Sequence, residues 1–468
     1  MANEARRRWI SAIVTSASNF SVQYNFQAMS VALIIMSTSE CTATADECER
    51  GQQASWVGSM TSATVFIGAT AGQLTMGYLG DAIGRNAALK ISLILATIGA
   101  LGSAILPTGT PSVIYSVIVG FRLILGIGVG GVYPLSATKA AEDSGKSGEV
   151  TPIASAFSFF WQTPGSVAPW VIALLISRSA LSTGAKWRLV LGLGAIPSVA
   201  VVAGVVLADS LEEQPTTESV GLIGSETHDP PAGAMKQVGL WEALKEPINQ
   251  RKLMLSGGSW FLFDVCYYGV TLFGAEMLND MATSAGSISS DESVRTKSLE
   301  QILALSLGAP AVLLSVWMMA RGVRLRALQI IGFLGIALSF VLLALLYSPL
   351  HSAPSMLYVV YCVLLFFLSF GPNVTTFVLP ASLYPVEIRS SFNGLSAACG
   401  KLGAVAGAQL FGLMHNFESY PVILLTCAVV ATTGAALTYG CLPEVASNAD
   451  RDVGLPSSSN EPAFGTSI

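Results

Sequence analysis

Apolar runs of about 20 residues, the length that crosses the hydrocarbon core of a bilayer, recur along the whole chain, and twelve can be counted. Span one covers about 10–36 and span two 56–79, with Asn19, Gln23 and Asn25 interrupting the first; span five covers about 152–176, and span six ends near Leu207. Residues 209–250 then lose the pattern, carrying Glu212, Glu213, Pro215, Thr216, Ser219, Pro230 and Pro231 with little apolar periodicity before Leu240. The pattern predicts an all-α polytopic membrane protein: six helices in 1–208, a polar linker over 209–250, six more in 251–443, and a polar tail over 444–468. The interrupted first span is unlike the uniform core of a cleaved signal peptide and reads as a retained helix.

Polar residues inside such spans are costly and point to function. The sharpest case is WFLFDVCYY in span seven, where Asp264 stands among apolar and aromatic residues. Trp260, Asp264 and Tyr268 are spaced i, i+4, i+8, so an indole N–H, a carboxyl and a phenol share one helical stripe. Gln162 in span five needs a partner in lipid, and Asn373 follows Gly371 and Pro372 in mid-span ten, where proline opens a helix. Gly126, Gly128 and Gly131 in span four fit a dinucleotide-binding spacing, but no βαβ unit surrounds them, so they read as a close-packing surface. Arg122 on the same helix is a cation that either snorkels or is paired.

Composition agrees with the pattern, at 52% hydrophobic and 11% charged against roughly a quarter charged in soluble domains. The net charge of −5 matters less than its placement. Arg6, Arg7, Arg8, Arg85, Lys90, Arg321, Arg324 and Arg326 fall in short connections on one side, which the positive-inside rule makes cytoplasmic. Both termini are therefore expected in the cytoplasm, with the plasma membrane as host. Five cysteines (Cys266, Cys362, Cys399, Cys427, Cys441) lie in spans as small hydrophobes, while Cys41 and Cys48 share the first external loop and are placed to pair if that side is oxidising. No Cys/His cluster has metal spacing. No metal, organic cofactor or nucleic acid is expected as a partner, and no activated nucleophile or paired carboxylates point to an enzyme. Sequons at Asn19 and Asn373 lie within spans and are expected to carry no glycan.

Several segments carry a resemblance. GYLGDAIGRNAALK (77–90) looks like the loop motif between the second and third helices of major facilitator transporters, and Arg122 with its glycines resembles that superfamily's fourth-helix motif. GVGGVYPLSATKAAE, SWFLFDVCYYGVTLF, FGPNVTTFVLP and SLYPVEIRSSFNGLSAACGKLGA are similar, more narrowly, to the phosphate:proton symporters within it, over roughly residues 9–442. The resemblance implies two six-helix bundles related as parallel repeats. The second half retains Gly322 and Arg324 after span eight without an acid matching Asp81, and spans four and ten each place a proline before a glutamate. It further implies that Gly77, Asp81, Gly84, Arg85, Arg122, Gly126, Glu142, Glu387 and Arg389 belong to structural and conformational motifs.

For the site, the resemblance assigns Tyr133, Gln162, Trp260, Asp264, Tyr268 and Asn373 to a pocket for inorganic phosphate, with Asp264 and Lys401 on the proton side. Neutral donors suit a tetrahedral oxyanion that must later leave. Ionised, Asp264 repels such an anion at low dielectric; protonated, it donates to it, so proton and phosphate favour each other reciprocally. The competing reading keeps Asp264 permanently paired with Lys401. The family has acids where this chain has Val132 and, in span one, near Asn25, and none of His228, His351 and His415 is placed to replace them. Proton routing reduced to Asp264, a facilitator, and another coupling ion all fit those losses. Alternatives in substrate are a phosphorylated organic compound, a sugar or an organic acid, and a further alternative is a phosphate sensor that signals through the linker without transport.

Overall fold

The computed structural model describes residues 2–40, 56–144, 152–212, 239–282, 290–349, 354–412 and 420–452. Cys41, Cys48, the three histidines, most of the linker and the end of the tail lie outside these residues. Spans one to four are α1 (Ala2–Glu40), α2 (Trp56–Ile83), α3 (Arg85–Ile105) and α4 (Pro111–Ser144). Span five is α5 (Pro152–Phe160) and α6 (Gln162–Ser177), and span six is α7 (Thr183–Leu193) and α8 (Ala195–Glu212). After the short α9 (Leu240–Lys245) come α10 (Pro247–Ala282) as span seven, then α11 (Ser290–Ser306) and α12 (Gly308–Ala320) as span eight. Span nine is α13 (Leu325–Tyr347), span ten α14 (Pro354–Ser369) with α15 (Pro372–Leu383), span eleven α16 (Arg389–Gly412) and span twelve α17 (Tyr420–Asp452).

The twelve spans form two six-helix bundles whose outward surfaces are apolar and whose polar residues turn inward. Leu334, Leu338 and Leu345 make an exposed leucine stripe along α13, the surface a bilayer covers. Along α1, by contrast, Ser11, Thr15, Ser18, Asn19, Ser21 and Asn25 are all buried. Among the described residues, eight spans are apolar enough by composition to cross a membrane. The other four, α1, α2, α10 and α16, each contribute side chains to the crevice between the bundles, which is why their composition is more polar.

Close backbone approach fixes the helix pairs. A Cβ at Gly126 of α4 would stand 2.5 Å from the Val65 carbonyl oxygen of α2, so only glycine permits this crossing, as its sequence context predicts. In the second bundle Gly403 of α16 packs as tightly, a Cβ there meeting the Phe261 carbonyl oxygen of α10 at 2.2 Å. The α2–α3 turn, the start of α10 and the α15–α16 turn share one face of the molecule, here termed the linker face. The worn repeat survives in the backbone: Gly84 after α2 and Gly322 after α12 both adopt positive φ, 93° and 84°, which glycine tolerates without strain.

Candidate functional site

Two clusters meet at the middle of the crevice. In the first bundle, Gln23 donates through Nε2 to Tyr133 Oη at 3.1 Å and to Gln162 Oε1 at 2.8 Å. Gln162 in turn donates through Nε2 to Asn19 Oδ1 at 2.8 Å, and Tyr133 Oη lies 3.4 Å from Gln162 Oε1. Gln162 is the first residue of α6, directly after the single turn at Trp161 that separates it from α5. Gln23 and Asn19 are not among the residues assigned to the pocket from sequence. A signal was present: Thr15, Asn19 and Gln23 repeat at i, i+4, i+8, the same stripe spacing as Trp260, Asp264 and Tyr268 in span seven.

In the second bundle, Asp264 is 3% exposed and faces Lys401, itself 2% exposed, so the carboxyl points into the protein and not to lipid. The ammonium nitrogen stands 3.5 Å from Asp264 Oδ2 and donates to Tyr268 Oη at a closer 2.9 Å. Asp264 Oδ2 makes no hydrogen bond meeting ordinary geometry among the described residues. The pairing expected as the competing reading is therefore present but loose. The glycine crossing at Gly403 sets Lys401 against α10, and Gly400 leaves room for the Trp260 indole, whose Nε1 a Cβ there would approach to 2.8 Å.

Aromatic rings join the two clusters. Tyr133 lies 6.5 Å from Trp260 and 6.1 Å from Phe377 of α15, and Phe66 of α2 packs edge-on to Tyr268 at 5.1 Å between centroids. Five of the six residues assigned to the pocket are thus linked through one contiguous set of contacts. Asn373 is not tied to it: it is half-buried at the start of α15, just past the break where Gly371 has φ 66°, and makes no hydrogen bond among the described residues.

At the linker face, Asp81 accepts hydrogen bonds from Ser390 N at 3.2 Å, Ser391 N at 2.7 Å and Ser391 Oγ at 2.6 Å, capping the N-terminus of α16 across the bundle boundary. Arg85 pairs with Asp81 at 3.1 Å and Glu142 at 3.3 Å, and donates to the Val386 carbonyl at 2.7 Å. Arg389 completes the cluster on Glu142 at 2.8 Å. These contacts hold the linker face closed. Glu387 does not join them, being exposed and without an ion pair among the described residues; the acid that Arg389 meets comes from α4, across the boundary. Arg122 does not snorkel. It is fully buried and donates through Nη2 to the Asn25 carbonyl of α1 at 2.7 Å, while Asn25 Nδ2 donates to the Ser21 and Gly194 carbonyls.

Two bundles packed around a buried polar and aromatic cluster and tied by ion pairs at one face have the architecture of a secondary transporter of the major facilitator fold. The chain belongs to the sugar (and other) transporter family, whose model matches residues 11–217 and 234–449. Among its relatives, inorganic phosphate transporter PT2 of Toxoplasma gondii is 29% identical over 432 residues, covering 92% of this chain and 71% of that protein. Inorganic phosphate transporter 1-6 of Oryza sativa subsp. japonica is 30% identical over 410 residues, covering 78% and 74%. In fold, the chain resembles the proton:xylose symporter XylE bound to 6-bromo-6-deoxy-D-glucose, with a TM-score of 0.70 at 16% identity over 94% of this chain and 96% of that one.

Proposed function

We propose that this protein carries inorganic phosphate across a membrane with protons, by alternating access around the midplane crevice. The observation that carries the reading is the placing of one carboxyl and one ammonium, Asp264 and Lys401, beside a neutral hydrogen-bonding set of Gln23, Tyr133, Gln162 and Tyr268. The ammonium attracts the anion and the amides and phenols orient it. The carboxyl sets the proton requirement, since only its neutral form can donate to a bound phosphate. Residues 1–208 and 251–443 are the rocking bundles and 209–250 their linker. Arg85, Arg321 and Arg324 in short turns support a cytoplasmic linker face by the positive-inside rule, and our reading puts both termini on that side, with the plasma membrane as host. The state described is the one closed to the cytoplasm.

The deciding experiment is phosphate flux in liposomes holding the purified protein, with and without an imposed proton gradient. Concentrative uptake driven by the gradient supports the reading, and phosphate binding without flux replaces it with a sensor. Flux that a phosphorylated organic compound or a sugar competes away more strongly than phosphate does reassigns the substrate. Within the pocket, Gln162→Ala and Tyr268→Phe are each expected to weaken phosphate binding about ten- to a hundredfold, the loss of one hydrogen bond to a charged ligand. Gln162 also bonds Gln23 and Asn19, and Tyr268 also bonds Lys401, so a loss of about 1–3 kcal/mol in stability without phosphate accompanies each change. A loss of stability with phosphate affinity unchanged in the folded variant would return the residue concerned to a packing role.

A further inference from the structure

Lys401 does more than face Asp264. Its ammonium nitrogen lies within cation–π range of four ring centroids: Tyr268 at 4.7 Å, Tyr133 at 5.5 Å, and Phe26 and Phe66 at 5.8 Å each. Three of these rings come from the other bundle, on α1, α2 and α4, and Phe26 and Phe66 pack against each other at 5.6 Å. A buried ammonium needs compensation, and here the ring faces supply part of what a tight carboxylate pair would otherwise provide. That division of labour accounts for the loose 3.5 Å spacing to Asp264 beside the 2.9 Å bond to Tyr268.

We propose that Phe26 and Phe66 are positioning residues that hold the Lys401 ammonium in an aromatic cage away from Asp264, so that Asp264 can take up and release its proton while Lys401 keeps its charge. This rests on the phosphate–proton reading of the same site. The cage is assembled only where α1, α2 and α4 meet α16, so it also ties the lysine's position to the closeness of the bundles. The titratable or charged groups coupled to Asp264 are Lys401 on α16, Tyr133 on α4, and Tyr267 and Tyr268 on its own helix, with Cys266, bonded to the Cys427 carbonyl of α17, and Tyr361 of α14, beside Tyr267, beyond them. Of these only Lys401 is a base; the phenols and thiols are neutral when they hold their protons.

The sign follows. Without the ring faces, Lys401 leans toward Asp264, stabilises the carboxylate, and makes protonation require more acid. In the full-length protein, Phe66→Leu should move the pH midpoint of phosphate binding about one unit toward acid relative to the unaltered protein, a shift typical of losing a desolvated cation–π contact. Phe66→Tyr, which keeps the ring, should restore it, and Phe26→Leu provides a second removal if the first variant misfolds. Phosphate's own ionisation is common to all variants, so only differences are read. In parallel, the protonated carboxyl band of Asp264, identified in infrared difference spectra by its loss in Asp264→Asn, is titrated without phosphate. An acid shift of that band in the leucine variants, reversed in the tyrosine variant, supports the cage. An unchanged band, or the same shift with tyrosine, overturns it. If the unaltered protein binds no phosphate, the functional reading fails while the infrared titration still decides the cage.

Discussion

Asp264→Asn is expected to abolish proton-driven accumulation of phosphate while leaving exchange of phosphate across the membrane at equal pH. The amide donates like a protonated carboxyl and does not repel the anion, so binding survives. It cannot lose or gain a proton, so the pH gradient no longer does work on the substrate. Each unit of pH difference supplies about tenfold in accumulation per coupled proton, and all of that is lost. If Asp264 instead served only as the permanent partner of Lys401, the substitution would leave a buried cation uncompensated. The cost would be about 3–5 kcal/mol and would fall on folding. Thermal unfolding separates the two outcomes, because the aromatic rings and Tyr268 already hold the ammonium. Counterflow of labelled phosphate then reads binding and exchange, and an imposed pH step reads coupling. Unchanged accumulation in the variant would remove Asp264 from the mechanism.

Much of this site was legible in the sequence because lipid makes polar residues conspicuous. Asp264 stands out by the length of the apolar run around it, and its stripe with Trp260 and Tyr268 follows from helical spacing alone. The glycines of span four read correctly as a packing surface for the same reason, since no strand flanked them. What could not be read were relations between helices distant in the chain. Phe26 and Phe66 look like any lipid-facing aromatics until the bundles are joined, and only then do they surround Lys401. Arg122 gave two options, and the carbonyl that receives it, on Asn25, lies on another helix 97 residues away. Glu142 and Glu387 occupy matching places in the two half-repeats, yet only Glu142 turns into the boundary, where Arg85 and Arg389 converge on it. Sequence symmetry does not say which copy of a motif closes a shared interface. Gln23 and Asn19 carried a readable stripe, but nothing along the chain ties span one to span five. Their contact with Gln162 is a property of the assembled bundle.

Gly394→Leu is expected to stop transport without unfolding the protein. A Cβ at this position of α16 would stand 2.2 Å from the Gln73 carbonyl oxygen and 3.4 Å from the Gly77 Cα, both on α2 of the other bundle. The obstacle is backbone and cannot swing aside. The nearest atoms all belong to the opposite bundle, so each bundle keeps its own packing and only their closure at the linker face is denied. With the crossing blocked, Asp81 can no longer reach Ser390 and Ser391, and the ion pairs of Arg85 and Arg389 through Glu142 lose their geometry. The carrier is then held open at that face, and a cycle that must pass through the closed state does not turn over. Phosphate uptake in liposomes should fall to background for leucine and be strongly reduced for alanine, while thermal unfolding of the separate bundles changes little. A Ser390→Cys probe, at a position that is fully buried when the face is closed, should label faster with a water-soluble thiol reagent in the Gly394→Leu background than without it. The contrary expectation is equally definite. If Gly394 were merely a flexible point in a helix, alanine would stabilise α16 by about 1 kcal/mol and preserve uptake. Retained uptake with alanine and a probe that labels no faster with leucine would therefore refute the close crossing as part of the transport cycle.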